Sequence, residues 1–90
     1  MPTFQIPEYL QEFTDQNASV VVDAGDLNVA FEQLFTLYPG LRPQIFSPEG
    51  GVRPFLMVFI GNYHIDALNG LRTVLQSDDQ ITMLVNLAGG

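Results

Sequence analysis

The sequence predicts an α+β fold, one sheet of four to five strands laid over one main helix. Three observations predict it. Five short apolar or β-branched runs are bounded by turn residues, one longer run carries apolar residues at helical spacing, and the 90 residues suffice for a single core. A chain of this length buries roughly 60–65% of the surface its unfolded form exposes, which leaves little material for an enclosed catalytic cleft. One domain is therefore expected over residues 1–90, ending in a flexible tail at 87–90.

The elements follow in order. Thr3-Phe4-Gln5-Ile6 alternates polar and apolar residues and stops at Pro7. Ser19-Val20-Val21-Val22-Asp23 is β-branched and comes after the turn residues Asp15-Gln16-Asn17, so the opening reads as a hairpin or two paired strands. Asp26 stands where an N-cap belongs. Leu27, Ala30, Phe31, Leu34 and Tyr38 recur at helical spacing until Pro39-Gly40 stops the pattern, giving an amphipathic helix of about three turns. From Leu41 to Pro54, three prolines and Gly50-Gly51 predict an irregular loop. Phe55-Leu56-Met57-Val58-Phe59-Ile60 is a strand apolar on both faces, Gly61-Asn62 its two-residue turn and Tyr63-His64-Ile65 its short return. Ile81-Thr82-Met83-Leu84-Val85-Asn86 is the last strand. A single helix covers one face of a sheet, yet the third strand has no polar side to give to water. Something else is expected to cover it.

Composition excludes several function classes. Hydrophobic residues make up 47% and charged residues 14%, too apolar for a disordered segment and too interrupted by charge and proline for a membrane span. The start, Met1-Pro2-Thr3-Phe4-Gln5, has no basic region ahead of an apolar run, so a cytoplasmic address is expected. The absence of cysteine removes disulfides, thiolate nucleophiles and cysteine-ligated metals, and no metal site is expected. Ten acids face only Arg42, Arg53 and Arg72, for a net charge of −7. Such a surface repels nucleic acid and attracts basic protein surfaces, besides keeping an apolar chain in solution.

The chain ends Asn86-Leu87-Ala88-Gly89-Gly90, and the double glycine is taken as the terminus. Two residues without side chains let a tail enter a channel too narrow for a Cβ and present its carboxylate there. A carboxylate is a poor electrophile until it is an acyl-adenylate, when AMP becomes the leaving group for attack by a sulfide or persulfide.

The ending Leu87-Ala88-Gly89-Gly90 resembles that of the molybdopterin-synthase small subunits and the related sulfur carriers for cysteine biosynthesis. The resemblance extends to Ile6-Pro7 with Leu10, Arg53-Pro54-Phe55, Phe59-Ile60-Gly61-Asn62, Gly70-Leu71-Arg72-Thr73-Val74-Leu75 and Asp79-Gln80-Ile81-Thr82, in order along nearly the whole chain. It departs at Asp78, where a Gly is common and a left-handed residue is expected, and at Val85-Asn86, where a Pro is common. The resemblance implies a ubiquitin-like β-grasp, a mixed sheet of four to five strands over the helix. It also implies that Gly90, preceded by Gly89, is the point of adenylate and thiocarboxylate attachment. Met57, Phe59, Thr82 and Leu84 would then lie on the sheet face away from the helix, with Leu56, Val58, Ile60, Ile81 and Met83 pointing inward by alternation. Met57, Phe59, Thr82, Leu84, Leu87 and Ala88 are the partner-binding residues so implied. The partners are a ubiquitin-activating-like adenylyltransferase, which uses the ATP, and a sulfur-accepting synthase subunit. The carrier itself binds no cofactor, no nucleic acid and no membrane.

Competing residues read as structural. His64 has no nucleophile motif beside it and reads as a solvent-facing strand residue, Asp78-Asp79 as a turn, and Tyr38 and Phe35 as helix-to-sheet packing. The chain has no lysine, so few internal amines compete for an activated terminus. Three functions remain open: a sulfur carrier, with molybdopterin first and cysteine or thiamine as further pathways; a ubiquitin-like modifier conjugated through Gly90; and a non-catalytic β-grasp binding module. The first is a protein cosubstrate or small subunit of a sulfur-transfer system, not an enzyme.

Overall fold

All five expected strands occur in the computed structural model, which describes residues 1–86. They are β1 (Thr3–Gln5), β2 (Ser19–Val21), β3 (Leu56–Ile60), β4 (Tyr63–His64) and β5 (Gln80–Val85), each within two residues of its sequence-derived limits. The sheet order is β2-β1-β5-β3-β4. β1 and β5 run parallel, with Phe4 opposite Ile81, and every other pair is antiparallel. A mixed five-stranded sheet over one main helix is the architecture the resemblance implies.

That helix, α1, spans Leu27–Leu37. Asp26 caps it: its backbone is extended, and its Oδ1 accepts a hydrogen bond from the Val29 N–H at 2.8 Å. One otherwise orphaned donor of the first turn is thereby satisfied. The buried stripe is Leu27, Ala30, Phe31, Leu34 and Phe35, the i, i+3, i+4, i+7, i+8 set of a core-facing helix. Phe31 is its centre, with ring centroids 5.1 Å from Phe4, 5.2 Å from Phe46 and 5.8 Å from Phe35. Tyr38 packs on this core as predicted but from outside the helix, as its C-cap, and its hydroxyl accepts from Asn17 Nδ2 at 3.2 Å. Asp26→Ala is expected to lower stability by about 1 kcal/mol and the melting temperature by roughly 4–8 °C; a thermal melt followed by circular dichroism reads the loss.

The segment from Leu41 to Pro54 differs from the irregular loop expected of it. A 3-10 turn at Pro39–Leu41 runs into a short helix, α2 (Arg42–Ile45), and Phe46 then pairs with Val52. Leu41, Ile45 and Phe46 are buried and close one end of the core. The prolines do not prevent this, because Pro39 and Pro43 occupy first turns, where no N–H is required. A second unpredicted element, a 3-10 helix at Glu8–Thr14, buries Leu10 and Thr14. The chain then reverses through left-handed Asp15 (φ 53°) and Gln16 (φ 67°), so β1 and β2 are paired as expected but not joined by a tight hairpin. Gly61 at φ 58° is the one left-handed residue of the β3–β4 turn, the position of the positive φ in a type II′ hairpin. Asp78 is not left-handed as expected. The turn Gln76–Asp79 is closed instead by Asp79, whose Oδ2 accepts from the Gln76 N–H at 2.7 Å. Among the described residues, no helix is long and apolar enough to cross a membrane.

Candidate functional site

Strand alternation sorts β3 and β5 into two faces. Leu56, Val58, Ile60, Ile81 and Met83 are buried against the helix layer, at 7% exposure or less. Met57, Phe59 and Thr82 are half-buried on the opposite face, and Leu84 there is 47% exposed. The β3–β5 register sets Met57 opposite Leu84 and Phe59 opposite Thr82, which brings these four residues side by side. Across the rest of the face the character changes. Ser19 Oγ donates to Gln5 Oε1 at 3.2 Å, and Gln5 Nε2 donates to Gln80 Oε1 at 2.6 Å, a polar ladder over β2, β1 and the start of β5. Thr82 stands at the boundary, paired with Gln5 on one side and Phe59 on the other. The outer face is therefore half polar and half apolar.

The apolar half lies beside the point where the chain leaves the sheet. The Asn86 N–H donates to the Phe55 carbonyl at 2.7 Å and ties the end of β5 to the start of β3. Leu87, Ala88, Gly89 and Gly90 lie outside the described residues. Phe55, 45% exposed, adds a large apolar side chain at this end that sequence reasoning did not single out; it stands two residues before Met57, the spacing of same-face strand neighbours.

The cover expected over β3 is partial. A cleft of about 290 Å³ beside Met57 is lined by Val52, Arg53, Pro54, His64 and Asn86, so the end of the preceding segment flanks Met57. His64 shields Phe59: the two are cross-strand partners with ring centroids 5.2 Å apart, edge to face. His64 Nδ1 also accepts from the Asp66 N–H at 3.0 Å, capping the 3-10 turn at Ile65–Ala67. An acceptor Nδ1 leaves the proton of the neutral ring on Nε2. His64 is thus half-buried and structural rather than a simple solvent-facing residue. Elsewhere, partial burial raises the Tyr9 phenol above its ordinary pKa.

No family model matches the chain. The sulfur carrier protein CysO, from Mycobacterium tuberculosis and from Mycobacterium bovis, is 26% identical over 90 residues, 98% of this chain and 97% of the relative. The solved structure of Mycobacterium tuberculosis CysO superposes with a TM-score of 0.90 at 22% identity, covering 97% of this chain and 100% of that one. A chain of the Amycolatopsis orientalis BexX/CysO complex gives 0.89 at 21% identity with full coverage of both, and SAMP1 from Haloferax volcanii gives 0.81 at 17%, covering 99% and 98%. The chain thus has the β-grasp fold of these ubiquitin-like proteins and is similar in sequence to the CysO sulfur carriers over nearly its whole length.

Proposed function

We propose that the chain carries sulfur as a thiocarboxylate on Gly90. The terminal carboxylate attacks the α-phosphorus of ATP in a ubiquitin-activating-like adenylyltransferase, pyrophosphate leaves, and hydrosulfide displaces AMP from the acyl-adenylate with loss of a proton. The observation that carries this reading is the similarity to CysO carriers over nearly the whole length, together with the ending Leu87-Ala88-Gly89-Gly90. Of the pathways open from the sequence, the cysteine type is favoured over molybdopterin, because the matched relatives are CysO carriers. A chain of the same fold in a BexX/CysO complex supports a separate protein as the sulfur-using partner. The fold is shared with SAMP1, the small archaeal modifier protein 1, so conjugation is the alternative that the test must separate. Intact-mass measurement of protein isolated without reductant does so: a thiocarboxylate replaces one oxygen by sulfur, whereas conjugation adds the mass of a target. An unmodified terminus after incubation with the activating enzyme, ATP and sulfide sinks the reading.

The apolar half of the sheet face serves as the docking surface for the activating enzyme, where Met57, Phe59 and Leu84 supply the anchors and Leu87 and Ala88 continue into its channel. Leu84→Asp is expected to weaken association at least ~10-fold while changing stability by no more than about 1 kcal/mol, since nearly half of the side chain is already in water. Phe59→Asp weakens association similarly but melts lower, because it also strips His64 of its ring partner. Calorimetric titration paired with thermal melts checks both. Undiminished binding by Leu84→Asp would remove this face from the docking surface.

A further inference from the structure

The chain has three cations against ten acids, and two of the three, Arg42 and Arg53, line one cleft of about 310 Å³. Both guanidinium groups are held in place. Arg42 Nη2 pairs with Glu32 Oε1 at 2.6 Å, and its guanidinium lies 4.7 Å over the Phe35 ring. Arg53 Nε donates to the Pro43 carbonyl at 2.8 Å, which leaves its two Nη groups with no hydrogen-bond or ion-pair partner among the described residues. The Ser47 hydroxyl is likewise unused, although its backbone N–H anchors the loop by donating to the Gly51 carbonyl at 2.8 Å. The remaining walls include Phe46, Pro43 and Pro48, and among the described residues no carboxylate lines the cleft, Glu32 meeting Arg42 from outside the lining.

We propose that this cleft binds a phosphate monoester carried on a flat or apolar body. Arg53, Arg42 and Ser47 present three separate donor groups, matching the three terminal oxygens and near-double charge of a phosphate better than the two oxygens of a carboxylate. Guanidinium groups already fixed by protein contacts lose little further freedom on binding. The cleft is several times larger than a phosphate group and near the lower end of small-ligand sites, so the proline and phenylalanine walls hold the body of the ligand. The proposal does not rest on the activation of Gly90, although Arg53 also borders the cleft beside Met57.

With only three arginines, the side-chain Nε–H signals give a direct test by nuclear magnetic resonance. At constant ionic strength, titration with phenyl phosphate is expected to shift the Arg53 and Arg42 signals saturably while Arg72 stays still. Inorganic phosphate is expected to bind several-fold more weakly, lacking the body, and benzoate more weakly still. Arg53→Gln is expected to cut affinity at least ~10-fold, and Ser47→Ala by about 2–10-fold, the loss of one hydrogen bond. Because Arg53 also holds the Pro43 carbonyl, Ser47→Ala decides the matter if Arg53→Gln perturbs the backbone spectrum. Equal drift of all three arginines, or benzoate binding as tightly as phenyl phosphate, overturns the proposal.

Discussion

Deletion of Gly90, or addition of one residue after it, is expected to abolish adenylation and sulfur loading while leaving the melting temperature unchanged. The proposed reactive atom is the terminal carboxylate, and one residue more or less displaces it by about 3.5 Å along an extended tail. Reacting atoms must approach to roughly 3–3.5 Å in the right orientation, so a displacement of that size is worth at least ~10²-fold in rate. Neither change touches the core, whose last buried residue among those described is Met83. Pyrophosphate exchange with the activating enzyme measures the first step and intact mass the second. A Gly90-deleted chain that still accepted AMP or sulfur would make the proposed chemistry wrong.

Phe31→Ala is expected to have the largest effect on stability. The ring is fully buried and meets Phe4 of the sheet, Phe35 of its own helix and Phe46 from beyond α2, so its removal unpacks three elements at once. Such truncations cost about 3–5 kcal/mol in well-packed cores. Against a total of ~5–15 kcal/mol, and at roughly 4–8 °C per kcal/mol, the melting temperature falls by at least ~12 °C. Chemical denaturation read by tyrosine fluorescence checks the value. A loss below about 1 kcal/mol would mean that the aromatic cluster is not the keystone of the fold.

Regular elements were legible in the sequence because their periods were clean. The α1 stripe and the Asp26 cap came from local spacing, whereas β3 is apolar on both sides, so which face of β3 and β5 turns inward rested on the family resemblance. What stayed hidden was irregular structure that buries residues. Leu41 and Ile45 stand at helical spacing, but the surrounding prolines and glycines dominate any local reading, and only tertiary burial makes a one-turn helix worthwhile there. The 3-10 helix at Glu8–Thr14 likewise exists because Leu10 and Thr14 find a core to enter. At the candidate site, the sequence separated Met57, Phe59, Thr82 and Leu84 from their inward neighbours. It did not reveal that His64 packs on Phe59, since cross-strand register depends on a turn geometry that composition leaves open.

The place of β5 has a consequence for how the chain is made. β5 is the last of the described strands in the chain, yet it occupies the middle of the sheet, bonded to β1 on one edge and to β3 on the other. A nascent or prematurely terminated chain ending before Gln80 leaves β2-β1 and β3-β4 as two disconnected pairs, each too small to hold together in water. Completion of the sheet must therefore wait until Gln80–Val85 has been made, since the β1–β5 contacts join residues more than 70 positions apart. Truncated products ending before that strand then meet the proteolytic machinery unfolded, so they do not accumulate as folded competitors that occupy a partner's surface without a terminus to offer it.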